Sequence, residues 1–302
     1  MKPAQFKGLG VALVTPFLQD GTIDFANLKQ LVTNLIDNKV DYLLALATNS
    51  ESPTMSSEEK HAVVQAIVQA SAGRVPVMIG VGGYNTQQIL DDFNSLDFTG
   101  IDAILSVTPY YNKPSQEGII EHYKMLNHHA PRPIFLYNVP SRTSCNIEAE
   151  TTLHIAKECP NIIGIKEASG NMNQIMKIIR HKPTSFMVIS GDDAITLPLM
   201  AVGADGVISV VANAYPHEMA QLVHLCMVGR FGEAQFYHYQ LLDIIQACFK
   251  EGSPAGIKAF LTLQGKMEYY LRLPLCRVSD ELQRKIMELK DENINFNKQL
   301  QF

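Results

Sequence analysis

Eight short apolar runs recur along the chain, at residues 10–17, 42–48, 75–82, 103–111, 133–140, 162–169, 186–193 and 206–213. Each is dense in Val, Ile and Leu and lacks the polar alternation of a strand with one wet face. That is the pattern of a strand buried on both faces of a parallel sheet. Each ends among Pro, Gly, Asn, Ser or Asp, residues that favour loops. Helical periodicity fills the gaps. In 25–38, Leu28, Leu31, Leu35 and Ile36 share one face. In 56–71, Ser56 or Ser57 stands ahead of Glu59, which predicts an N-cap and a first-turn acid. Segments 85–96 and 116–129 follow the same logic.

The run starts lie 20 to 33 residues apart, the size of a strand-plus-helix unit. Eight units in series, with no second sheet pattern, predict a closed (β/α)8 TIM barrel. A doubly wound open sheet is the rival. The near-equal units, and the lack of a GxGxxG after the first run, favour closure. After Asn213 the strand signal stops, and 217–229, 232–249, 254–265 and 279–294 all read as helices. The expected organisation is a catalytic barrel over 1–229 and a C-terminal helical segment over 230–302. No low-complexity linker separates them, so the segment should pack on the barrel.

Composition narrows the function classes. Of 302 residues, 46% are hydrophobic and 18% charged, enough apolar chain for one large core. Lys and Arg number 25 against 30 Asp and Glu, a net charge of −5 that argues against a nucleic-acid-binding face. The five cysteines are scattered and form no CxxC. This suits a reducing cytoplasm and offers no zinc spacing. The first residues lack a secretory h-region. The most apolar stretch, 197–214, is broken by Asp205 and glycines and makes a poor membrane span.

In such a barrel the chemistry sits at the C-terminal ends of the strands. Those ends carry Thr15, the segment Thr48-Asn49-Ser50-Glu51, Gly82-Gly83, Thr108 to Asn112, Tyr137-Asn138, Lys166-Glu167, Asp192-Asp193 and Asn213. Lys166 is the notable one, because alternation aims it into the barrel. Two readings stand: an ion pair with an acid, or a desolvated amine that attacks a carbonyl. Glu167, next in sequence, should point the other way. Tyr137 and Tyr111 share the rim with Thr48, as half-buried aromatics or as a hydroxyl chain that moves protons. Arg142 is either a plain surface arginine or a fork for a carboxylate. The glycines at 80, 82 and 83 lack the Walker pattern. Asp192-Asp193 reads better as a turn or cap than as a cation site, and His128-His129 as a solvated helix end.

The motifs VTPYYNKPSQEG (107–118), LYNVPSRT (136–143), NIIGIKEASGN (161–171), ISGDDA (189–194) and GVISVVAN (206–213) together resemble the class I pyruvate-dependent aldolase/lyase superfamily. Within it they resemble the 4-hydroxy-tetrahydrodipicolinate synthases, over nearly the whole chain. The resemblance implies a lyase of lysine biosynthesis that condenses pyruvate with L-aspartate 4-semialdehyde. It implies that Lys166 forms the Schiff base and Tyr137 is the general acid/base. Thr48 and Tyr111 would complete a proton relay, Tyr111 from a neighbouring subunit of a homotetramer built as a dimer of dimers. Arg142 would bind the semialdehyde carboxylate, with Asn49 and Ile208 at the pyruvate site. No metal or redox cofactor is implied. Other Schiff-base lyases of the superfamily, acting on N-acetylneuraminate or keto-deoxy sugars, are the alternative, and a binding-only paralogue is a third reading. The Tyr111 loop and Arg142 favour the synthases.

Two departures stand out. The family's Gly-Thr-Thr-Gly-Glu is here Ala47-Thr48-Asn49-Ser50-Glu51. Asn49 replaces a hydroxyl with a longer amide, and Ala47 and Ser50 in place of glycines are expected to restrict the backbone there. The family's lysine-binding positions fall on Lys60, Tyr84 and Gln88, which implies weak feedback inhibition by L-lysine.

Overall fold

The computed structural model describes residues 3–299; residues 1–2 and 300–302, the outer ends of the two expected units, lie outside the described residues. Eight strands run in chain order: β1 Gly8–Ala12, β2 Tyr42–Ala45, β3 Val77–Gly80, β4 Ala103–Val107, β5 Ile134–Asn138, β6 Ile162–Glu167, β7 Met187–Ser190 and β8 Gly206–Ser209. All neighbours pair in parallel, and β8 returns to β1 with Val11 opposite Ser209, closing the barrel.

The four helices expected between the early strands form at Phe25–Asp37, Ser57–Ser71, Thr86–Ser95 and Gln116–His129. Ser56 caps the second by accepting from the Glu59 N–H, while Glu59 returns to the Ser56 N–H. The strands are shorter than the apolar runs. Leu13 and Val14 extend the first run and are buried, but they lie past the last paired residue of β1. Apolar loops over a barrel end look like strand in sequence because burial, not pairing, sets the pattern. Three further helices, Ala149–Glu158, Met172–His181 and Thr196–Ala201, lie in stretches where no helix was assigned. They are short, and the first carries adjacent β-branched Thr151 and Thr152.

The barrel interior is filled. Phe6, ahead of β1, meets Tyr42 and Phe135 edge-on at 5.4 Å each. Gly10 gives the Tyr42 ring its space, for a Cβ there would sit 2.2 Å from Cε2. These aromatics plug one end and leave the strand C-termini free to carry polar groups.

The remaining helices are Pro216–Met227, Phe231–Phe249, Ala255–Leu263 and Asp280–Gln299. The C-terminal segment reaches the β2 loop through a fully buried ion pair, Lys258 Nζ to Glu51 Oε1 at 2.5 Å. Glu51 also accepts from the Arg272 N–H at 2.9 Å. Lys258 and Arg272 flank the Phe17 ring, 4.4 and 4.5 Å from its centroid. No described helix is long and apolar enough to cross a membrane.

Candidate active site

Strand alternation on β6 aims Lys166 inward and Glu167 outward. Lys166 pairs in register with Tyr137 on β5, and its Nζ lies 4.3 Å from the centre of the Tyr137 ring. It is only 5% exposed. Among the described residues, the ion pairs leave Lys166 out, so the paired-acid reading finds no acid. Glu167 takes the opposite side, accepting from Asn138 Nδ2 at 3.0 Å, Ser169 Oγ at 2.5 Å and Gln174 Nε2 at 3.0 Å. Burial raises its carboxyl to about 7, against the lowering effect of those three donors.

Asn138 extends this network to the next loop. Its Oδ1 accepts from the Ile147 N–H at 3.0 Å, and its amide also donates to Asn146 at 2.8 Å. The loop so anchored carries the single turn Pro140–Thr143, with Arg142 exposed upon it. Arg142 lines a cavity of about 950 Å³ together with Thr48, Gly80, Gly82, Val107, Tyr110 and Tyr137.

Thr48 opens the turn Thr48–Ser50 after β2. Asn49 is buried in the middle of that turn, and its Oδ1 accepts from Ser253 Oγ at 2.6 Å. The expected backbone restriction does not arise. Ala47 sits at φ −84, open to any residue, and Ser50 fits a helical turn closed by its own hydroxyl on the Ala47 carbonyl at 2.6 Å. The positive φ values fall instead on Leu46 and Glu51, at 51 and 57. Ile208 is buried and faces the barrel interior with Tyr137.

Tyr111 is not brought to Thr48 and Tyr137 within this chain. It stands 87% exposed at φ 69, its ring 6.3 Å from that of Tyr84. Tyr110 lines the cavity in its place. Other strand-end candidates turn out structural. Thr108 Oγ1 donates to the Tyr137 carbonyl at 2.9 Å, and Asn213 bridges Ala12 and Val14. Asp192 caps a short turn by accepting from the Ala194 N–H, and Asp193 holds the Val210 and Val211 N–H groups.

Two contributors went unread in the sequence. Gly191, at the end of β7, would carry a Cβ 3.0 Å from Lys166 Cε and 2.7 Å from Ala168 Cβ. Its signal was there, beside the aspartates of ISGDDA. Ser253 had none, lying 204 residues from Asn49.

A buried lysine in register with Tyr137, which itself lines a cavity shared with Thr48 and Arg142, is an arrangement for imine chemistry on an acidic carbonyl compound. The dihydrodipicolinate synthetase family model matches residues 5–292. The chain belongs to this family. A 4-hydroxy-tetrahydrodipicolinate synthase of Parabacteroides distasonis is 47% identical, covering 96% of this chain and 97% of its own. The dihydrodipicolinate synthase structure from Aquifex aeolicus superposes with a TM-score of 0.91 at 40% identity, over 95% of this chain and 98% of that one. That from Acinetobacter baumannii, described as complexed with pyruvate, gives 0.92 at 33% identity, over 95% and 98%. Like these relatives, this member of the family is a lyase.

Proposed function

We propose that the chain condenses pyruvate with L-aspartate 4-semialdehyde to give 4-hydroxy-tetrahydrodipicolinate, a step toward diaminopimelate and lysine. The observation that carries this reading is Lys166 buried in register with Tyr137, with no ion-paired acid among the described residues. The free-base form of Lys166 adds to the pyruvate ketone. Tyr137 delivers a proton to the carbinolamine oxygen, water leaves, and the imine forms. The imine draws electrons from the methyl C–H, and proton loss gives the enamine. Its carbon attacks the aldehyde, forming the new C–C bond. The semialdehyde amino group then attacks the imine carbon, expels Lys166 and closes the ring.

Thr48 lines the same cavity as Tyr137, and its hydroxyl serves the relay. Arg142 offers a fork to the semialdehyde carboxylate, and Asn49 and Ile208 serve the pyruvate side. The third hydroxyl of the relay is that of Tyr111, which stands exposed on its own chain. The exposure of Tyr111 supports delivery from a second copy, within a homotetramer in the cytoplasm. No metal or redox cofactor takes part. At the family's effector positions Lys60 places a cation on the cavity wall, and the Gln88 amide is engaged, donating to Asp92 at 3.2 Å. L-lysine should therefore inhibit weakly.

The test is borohydride reduction in the presence of pyruvate, followed by mass measurement, beside turnover with the semialdehyde and with N-acetylmannosamine. The expected result is one reduced pyruvyl group on Lys166 and turnover with the semialdehyde alone. No adduct on Lys166 refutes the mechanism, and turnover of the sugar alone refutes the substrate.

A further inference from the structure

Asn49 and Ser253 are both buried, and they meet across most of the sequence. A primary amide has two ends, and the Ser253 hydroxyl occupies the oxygen end at 2.6 Å. The Asn49 nitrogen donates to no acceptor among the described residues, yet it is absent from their fully enclosed unpartnered atoms. It therefore keeps contact with solvent. Asn49 follows Thr48, which lines the cavity with Tyr137 and Arg142. The backbone of the turn is fixed independently. Glu51, two residues on, is held by Lys258 and by the Arg272 N–H. What the backbone leaves open is the orientation of the amide plane.

We propose that Ser253 is a positioning residue for pyruvate: by occupying the Asn49 oxygen it turns the Asn49 amide N–H toward the substrate carboxylate. The geometry has a chemical reason. A carboxylate accepts and cannot donate, so an amide presented oxygen-first would repel it. A hydroxyl donor on the far side fixes the useful orientation before substrate arrives, which spares the binding step the cost of ordering it. The C-terminal segment thus shapes the pyruvate site without touching substrate. The inference rests on the reading of Asn49 as a pyruvate contact.

The experiment is steady-state kinetics on Asn49→Ala, Ser253→Ala, Ser253→Thr, Ser253→Cys and the double variant Asn49→Ala/Ser253→Ala, with thermal melting of each. Ser253→Ala should raise KM for pyruvate about 3- to 10-fold, the worth of one hydrogen bond. KM for the semialdehyde and kcat should stay within about twofold. Ser253→Thr keeps the hydroxyl and should restore the pyruvate KM. Ser253→Cys, a weaker donor, should fall between and serves if the alanine variant does not fold. In the double variant, removing Ser253 should add nothing to the loss from Asn49→Ala. A raised pyruvate KM in Asn49→Ala with no change in the folded Ser253 variants overturns the positioning role alone. Equal rises in both KM values with a lowered melting temperature reduce Ser253 to a structural staple. An unchanged pyruvate KM in Asn49→Ala removes the reading beneath the proposal, and the proposal with it.

Discussion

Lys166 and Tyr137 occupy paired positions on adjacent strands, with the amine 4.3 Å from the ring centre. A parallel ladder fixes that pairing through backbone hydrogen bonds, so neither side chain must search for the other. Replacing Tyr137 with Phe keeps the ring over the amine and removes the proton carrier. It should lower kcat by about 10²- to 10⁴-fold, the range of general acid–base catalysis. Lys166→Ala should abolish borohydride trapping of pyruvate. Wild-type kcat in Tyr137→Phe would assign proton transfer to another group.

Gly191 makes room for the Lys166 stem. An alanine there meets Lys166 Cε and the Ala168 side chain, so one of them must shift. Displacing a nucleophile by a fraction of an ångström is costly to catalysis. Gly191→Ala should slow imine formation by about tenfold or more, read as the single-turnover rate of trapping. Destabilisation should stay near about 1–3 kcal/mol, as for other overpacked sites. An unaltered trapping rate would show that Lys166 has free space.

The buried pair of Lys258 and Glu51 is a linchpin of the β2 loop. Burial lowers the Lys258 pKa, and its carboxylate partner works against that shift. Lys258→Met leaves the Glu51 carboxyl enclosed without its cation, with the Arg272 N–H as its remaining donor among the described residues. The expected cost is about 3–5 kcal/mol, seen as a lower urea midpoint, with a pyruvate KM raised as the loop loosens. The matched variant Glu51→Gln/Lys258→Met should recover part of the loss. If it recovers none, the pair is not coupled.

Glu167 gives the fold a pH dependence. Its carboxyl titrates near 7 when folded, against 4.5 for the free group. Below 4.5 both states are protonated and the group contributes no penalty. As pH rises from there to about 7, the unfolded chain releases its proton while the folded one keeps it, because burial makes ionisation costly. Stability therefore falls across that window, by about 3 kcal/mol in all. Glu167→Gln lacks a titrating group, so its stability difference from wild type should shift by about this amount between pH 5 and 8. A difference that is the same at both pH values would refute the raised pKa.

The architecture was legible because its cause is local and repeated. Eight doubly buried strands impose eight apolar runs, and Ser56 with Glu59 announces a helix start wherever it occurs. Lys166 was legible for a different reason. A charge inside an apolar run is anomalous, and strand alternation alone separates it from Glu167. The reach of Tyr111 was not readable from periodicity, because φ 69 turns the residue outward and no pattern of polarity records a backbone reversal. Ala47 and Ser50 misled for a related reason: glycines elsewhere do not prove that a turn requires them, and here the positive angles fall on Leu46 and Glu51. Ser253 was invisible, since one hydroxyl in a polar turn carries no sign of the amide it will meet.

The clamp between Arg272 and the β2 loop also sets an order of events. Arg272 donates to both oxygens of the Glu59 carboxylate and to the Gly21 and Thr54 carbonyls, joining two early loops from far downstream. A ribosome that has made all eight strands has not yet delivered Ser253, Lys258 or Arg272. Until they arrive the pyruvate-side turn lacks every one of these anchors. Competence should therefore arrive late in synthesis, with the last quarter of the polypeptide.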